Sequence, residues 1–368
     1  MKGDIGIFPD MRKNQIRKVI LSSGKVTTLA GTTWGYAQGP HPKFSYPQGA
    51  RFNEIPGGDD DREVYISDTY NDAIRKIDID TGFTTTIAGW PRGDAGGWMD
   101  GVGADAAFYR PKGMSVRGND LYLADSSNHC IRHVDLATRR VTTIAGQGGL
   151  TDNSKGGGQG LYGKPHRSQG WSDGVGAAAK FYYPQDVAYL NNQVIVADGL
   201  DNLRRIDLAM YPYKVTSIGY KCPFAFNSPP NTPNGMSMTD PYQGAFWGSD
   251  GIFCATGGVG GGWQGAGRAD GEYSPTGLAR LYECTNIVEK HGSLYLGCYT
   301  CIKKFDPSTG QMTTIAGKCK MPNNAADGSG DVARFKANVE IAFQRLNNKE
   351  SMIIADGGNN AIRRMTPS

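Results

Sequence analysis

The chain has 368 residues, 39% of them hydrophobic, with 52 Gly, 19 Pro, and a net charge of +4 from 39 basic and 35 acidic side chains. So mild a balance argues against a concentrated nucleic-acid face, and no run of 18 apolar residues offers a membrane-spanning helix. Abundant Gly and Pro without sustained helical periodicity predict many short strands joined by turns.

In chain order, the opening Met1–Asn14 lacks the apolar core of a signal peptide. An Ile-Arg-Lys-Val strand (Ile16–Val19) follows, then Val-Thr-Thr-Leu-Ala-Gly (Val26–Gly31). That last phrase returns at Thr84–Gly89, Val141–Gly146, Val215–Gly219 and Met312–Gly317. A period of tens of residues marks a repeat architecture. Each repeat reads as four strands. The first is an aromatic opening segment (Phe44–Phe52, Phe108–Val116, Phe181–Leu190, Leu281–Glu289, Phe335–Phe343). An apolar run ending in Asp comes next, then an Ile-Arg-x-Ile-Asp strand, then the Thr-rich phrase. Regular repeats therefore span 44–89, 108–146, 181–219, 281–317 and 335–368, while 147–180 and 220–274 are long insert loops or an irregular blade.

Four-stranded antiparallel units repeated radially predict an all-β fold, a single β-propeller. The last repeat lacks its fourth strand, so residues 15–31 are expected to complete the C-terminal blade and close the ring. Six blades are expected, with Gly244–Gly258 supplying part of an irregular one; five blades with a long excursion is the alternative.

The pattern resembles the NHL-repeat propellers. The residues that carry the resemblance are Asp68–Asn71–Ile74, Asp125–Asn128–Ile131 and Asp356–Asn359–Ile362. The Asp-Gly lead-ins from Asp100 and Asp173 to Phe108–Pro111 and Phe181–Pro184 add to it. Family members include scaffolds, RNA binders, and lyases or hydrolases, so the resemblance fixes the fold more narrowly than the function.

The recurrent Asp is expected to satisfy its own turn. The recurrent Arg (Arg17, Arg75, Arg132, Arg204, Arg363, with Lys303 in the fourth regular repeat) is expected to pack between blades and pair with a nearby Asp. Inserted length falls in the blade-to-blade links, which crowd one face of the disc. Candidate partner-binding residues on that face are Trp34, Tyr70, Trp90, His129, Trp247 and Trp263. Neither a catalytic constellation nor a metal or cofactor site is expected. The favoured role is a non-enzymatic scaffold for a protein or peptide within a larger assembly; the alternatives are a metal-dependent lyase or hydrolase at the central channel, and an RNA-binding propeller. Cys222, Cys254, Cys284, Cys298, Cys301 and Cys319 suggest disulfides or a thiol cluster, and Cys130 stands apart. The compartment stays open, because no Asn-x-Ser/Thr site accompanies them.

Overall fold

A computed structural model describes residues 3–54, 62–90, 96–148, 170–199, 202–218, 244–247, 253–256, 271–272, 281, 283–319, 326–337, 339–346 and 349–366. Among them the regular elements are β-strands and three-residue turns of 3-10 helix, and no helix is long and apolar enough to cross a membrane.

The strands form a six-bladed propeller. Blade one is Ile5–Asp10, Gln15–Ile20 and Lys25–Ala30; blade two is Ala50–Phe52, Glu63–Asp68, Ala73–Asp78 and Thr84–Ala88. Blade three is Pro111–Arg117, Asp120–Asp125, Cys130–Asp135 and Arg140–Ala145, and blade four is Asp186–Leu190, Gln193–Asp198, Asn202–Asp207 and Lys214–Ile218. Blade five is Asn286–Lys290, Ser293–Gly297, Cys301–Asp306 and Gln311–Gly317; blade six is Val339–Leu346, Lys349–Asp356 and Ala361–Met365. All pairings are antiparallel, and the first strands of neighbouring blades touch, which places them around the axis. The Asp-Gly lead-ins add two-residue strands (Gly101–Val102, Gly174–Val175) along the outer edges of blades three and four.

One detail of the expected closure changes. Ile5–Ala30 supply the second, third and fourth strands of a repeat, and Val339–Met365 supply the first three. Two sheets that both own the middle strands cannot merge, so the N-terminal strands make a blade of their own. In the irregular segment the described residues form one two-stranded sheet, Gly244–Trp247 with Phe253–Thr256, outside the six blades, and the rest of 220–266 lies outside the described residues.

Apolar cores fill five of the six interfaces, one between each successive pair of blades. Their residues alternate along the strands, as two-faced sheets require. At the sixth interface the described contacts are polar: Gln344 Nε2 donates to the Gly3 carbonyl at 2.9 Å, and Arg364 donates to the Leu21 carbonyl at 3.0 Å.

Four of the six blades, two, three, four and six, are each tied to the link before them by a buried ion pair. Arg75–Asp68 and Arg132–Asp125 lie 2.7 Å apart, Arg204–Asp198 3.0 Å and Arg363–Asp356 3.1 Å. The second Asp oxygen accepts the backbone N–H of Ser45, Tyr109, Tyr182 or Lys336 in the opening segment. The Arg donates to link carbonyls: Ala37 and Lys43, Met99 and Ala107, Ser172 and Lys180, Ala326 and Arg334. It also lies over the ring of Phe44, Phe108, Phe181 or Phe335. Asp100, Asp173 and Asp327 complete three of these clasps. The recurrent Asp and Arg are therefore structural groups.

Removing one partner of such a pair strands a buried charge, at about 3–5 kcal/mol. Arg132→Ala is accordingly expected to lose about that much in urea unfolding. The double variant D125N/R132M is expected to cost less than the sum of its single changes; strict additivity would show that the pair is not coupled.

Candidate binding site at the channel mouth

The opening segments deliver matching positions to the axis. Gln48, Gln185 and Thr285 each donate a backbone N–H to the residue before Asp68, Asp198 or Cys298. Lys112, which follows Pro111 opposite Asp125, occupies the same place in blade three. These four polar residues hold equivalent positions at the start of the inner strands, just inside the face that carries the blade-to-blade links; blade six has the buried Val339 there. The next position holds Gly49, Gly113, Asp186, Asn286 and Glu340.

Asp186 is the hub of that deeper layer. Its Oδ2 accepts from Arg51 at 2.7 Å, Asn286 Nδ2 at 2.9 Å and the Ile287 N–H at 3.1 Å, while Oδ1 accepts from the Val187 N–H at 2.9 Å. Blades two, four and five thus meet on one carboxylate. The neighbouring blade must make room: a Cβ on Gly113 would fall 1.9 Å from Asp186 Oδ1. Asn286 relays the contact onward, its Oδ1 accepting the Ile341 N–H of blade six at 2.9 Å.

Glu340 comes from blade six yet feels both Arg51 and Asp186, which is possible only near the axis. It meets solvent through the lumen while protein walls it in. Burial pushes its carboxyl up to about 7, with Arg51 opposing and Asp186 adding. Lys112 donates to Gln185 Oε1 at 2.7 Å, and burial beside Arg110 brings its ammonium down to about 8. Asp186 has its oxygens occupied, and among the described residues no three His, Cys, Asp or Glu gather as a metal would need.

Aromatic side chains form the rim. Tyr46 stacks on Tyr70 with ring centres 4.9 Å apart, and Arg110 lies 4.9 Å over Tyr70. Tyr46, Arg110 and Tyr183 hold left-handed backbone (φ 52°, 50° and 48°). Each donates its N–H to a side chain of the preceding blade: Asn14 Oδ1, Asp72 Oδ1 or His129 Nδ1. The turn geometry that these contacts fix aims three rim side chains at the mouth.

Of the sequence candidates, Trp34 is 71% exposed and Trp90 48%, both directly beyond outer strands on the link-bearing face. Tyr70 is part of the rim. His129 lies fully buried beneath the face, edge-on to Tyr183 at 4.3 Å, and positions that residue. Trp247 sits in Gly244–Trp247, of which only the backbone is described; Trp263 and Cys222 lie outside the described residues, and Cys254 has a described backbone alone. The structure bonds Cys284 to Cys298 and Cys301 to Cys319, so the Cys298-x-x-Cys301 pair takes two different partners. Cys130 is free and buried. The axial residues were missed because the opening segments look alike; their signal lay where they diverge, at Gly49, Gly113, Asp186, Asn286 and Glu340.

Residues 108–134 match the NHL repeat family. The chain is 33% identical over 144 residues to "Protein SUPPRESSOR OF QUENCHING 1, chloroplastic" of Arabidopsis thaliana, covering 36% of this chain and 12% of that one. It is 32% identical over 94 residues to human NHL repeat-containing protein 2, covering 23% of this chain and 13% of that one. The matches thus span about an eighth of each relative's length. Among solved structures, a protein of unknown function from Bacteroides thetaiotaomicron superposes with a TM-score of 0.56 at 15% identity, over 99% of this chain and 67% of that one. That similarity concerns the fold alone.

Because Glu340 binds its proton more tightly folded than unfolded, its share of stability is present at acid pH and is lost as pH rises through about 7. Glu340→Gln is therefore expected to be more stable than the parent at pH 8, the gap closing toward pH 4.5. Denaturant midpoints across this range test it, and a constant gap would count against the assignment.

Proposed function

We propose that this chain, an NHL-repeat β-propeller, is a non-enzymatic binding scaffold that takes a protein or peptide partner on its link-bearing face. One observation carries the reading: Trp34 and Trp90 stand exposed on the same face as the tyrosine–arginine rim of the channel. Large aromatics and Arg dominate the energetics of protein interfaces, because they bury much area at modest entropic cost. The blades beneath are rigid, closely packed and clasped by buried ion pairs, so the face is held in shape before a partner arrives. Membership in a larger assembly and the two disulfides, which fit an oxidising compartment, belong to the same reading.

The test is co-purification of tagged chain from its native source, with partners quantified by mass spectrometry. The double variant W34A/W90A is expected to weaken capture of the specific partner by roughly ten- to a hundred-fold, the loss typical of interface aromatics. Equal recovery by parent and variant would sink the reading. So would stoichiometric zinc or calcium in the purified chain, which would move it to the lyases and hydrolases.

A further inference from the structure

The ring of Gln48, Lys112, Gln185 and Thr285 has donors to spare. Lys112 gives one N–H to Gln185 and has no carboxylate partner among the described residues; the charge acting on it is another cation, Arg110. Gln185 Nε2 donates to the Tyr183 carbonyl within its own blade. The Gln48 amide and the Thr285 hydroxyl make no side-chain hydrogen bond among the described residues. Blades three, two and five therefore bring two spare ammonium hydrogens, an amide and a hydroxyl to equivalent positions at the mouth, with Gln185 of blade four holding the ammonium. An enclosed ammonium with no counter-charge is costly, and a folded chain ordinarily pairs it.

We propose that this ring binds a carboxylate, carried by an acidic side chain or the chain terminus of a peptide that enters from the link-bearing face. At the level of these residues Lys112 is the one cation, flanked by neutral donors, which matches one negative charge, while Arg110 is turned over the Tyr70 ring at the rim; a phosphate dianion calls for more positive charge and for bidentate arginine. The layer beneath sets the depth. Asp186 occupies it, and its carboxylate, already filled by Arg51 and Asn286, offers an anion no donor there. The rim above suits the rest of a peptide, since the Tyr46–Tyr70 stack offers flat apolar walls. The peptide part of this proposal rests on the binding face described above; the anion part does not.

Titration calorimetry with tetraglutamate and tetraglutamine tests it on the full chain. The parent is expected to bind tetraglutamate at least tenfold more tightly than tetraglutamine. Lys112→Met, which keeps the length of the side chain, is expected to erase that preference. Thr285→Val should reduce it while leaving the unfolding midpoint in place, which covers the case in which the Lys112 variant folds poorly. Equal affinity for the two peptides, or undiminished tetraglutamate binding by both variants, overturns the proposal. Displacement of tetraglutamate by equimolar inorganic phosphate overturns the carboxylate assignment. If tetraglutamate depends on Lys112 while partner capture ignores Trp34 and Trp90, the face reading fails and the ring stands.

Discussion

In four of the six blades a buried Asp carboxylate and a buried Arg guanidinium do what a long hydrophobic link could not. The Asp pins the start of the opening segment through a backbone N–H, and the Arg gathers the carbonyls of the link that precedes it. Both charges are removed from water, so the arrangement holds because both Asp oxygens and both terminal guanidinium nitrogens find partners, while the Nε of Arg75, Arg132 and Arg204 is buried without one. The link is thereby forced to arrive at the same place and angle in each repeat. The inner strand then starts at a fixed height on the axis, and the ring of side chains at the mouth follows from that height.

The departures from the pattern are as informative as its copies. Blade five has Cys298 where the Asp stands and Lys303 where the Arg stands. There the strand end is bonded to Cys284, just before the inner strand, and Lys303 turns to Thr314 at 3.1 Å. A covalent tie thus serves where the ion pair is gone. Blade two replaces the lead-in Asp by Gln38, which accepts the Thr86 N–H at 2.8 Å as Asp100 accepts that of Thr143. The geometry survives in both places by different chemistry.

The fold was largely legible because its constraint repeats. Six third strands, from Arg17 to Arg363, already count six blades; the surplus Ile16–Val19 was a blade in its own right, obscured because its opening strand is missing. The pairing of the recurrent Asp and Arg was legible for the same reason. The axial site was not, since its residues hold one position in the repeat without a shared residue type: Gly113 matters only because Asp186 lies beside it, a contact 73 residues away along the chain that periodicity cannot express. His129 misled in the opposite sense. Its position beside a turn suggested the surface, but a left-handed residue there faces inward to hold the next blade.

The polar seam between blades six and one gives the ring a direction. Five interfaces are cemented by apolar cores, whereas the described contacts of the sixth are hydrogen bonds from Gln344 and Arg364. Thermodynamically the molecule is a linear array of nearest-neighbour blades fastened by a clasp, not a wheel of equal spokes. Val19 of blade one and Ile353 of blade six are buried without belonging to any of the five cores, so closing the ring also removes apolar surface from water, from fewer side chains than the cores do.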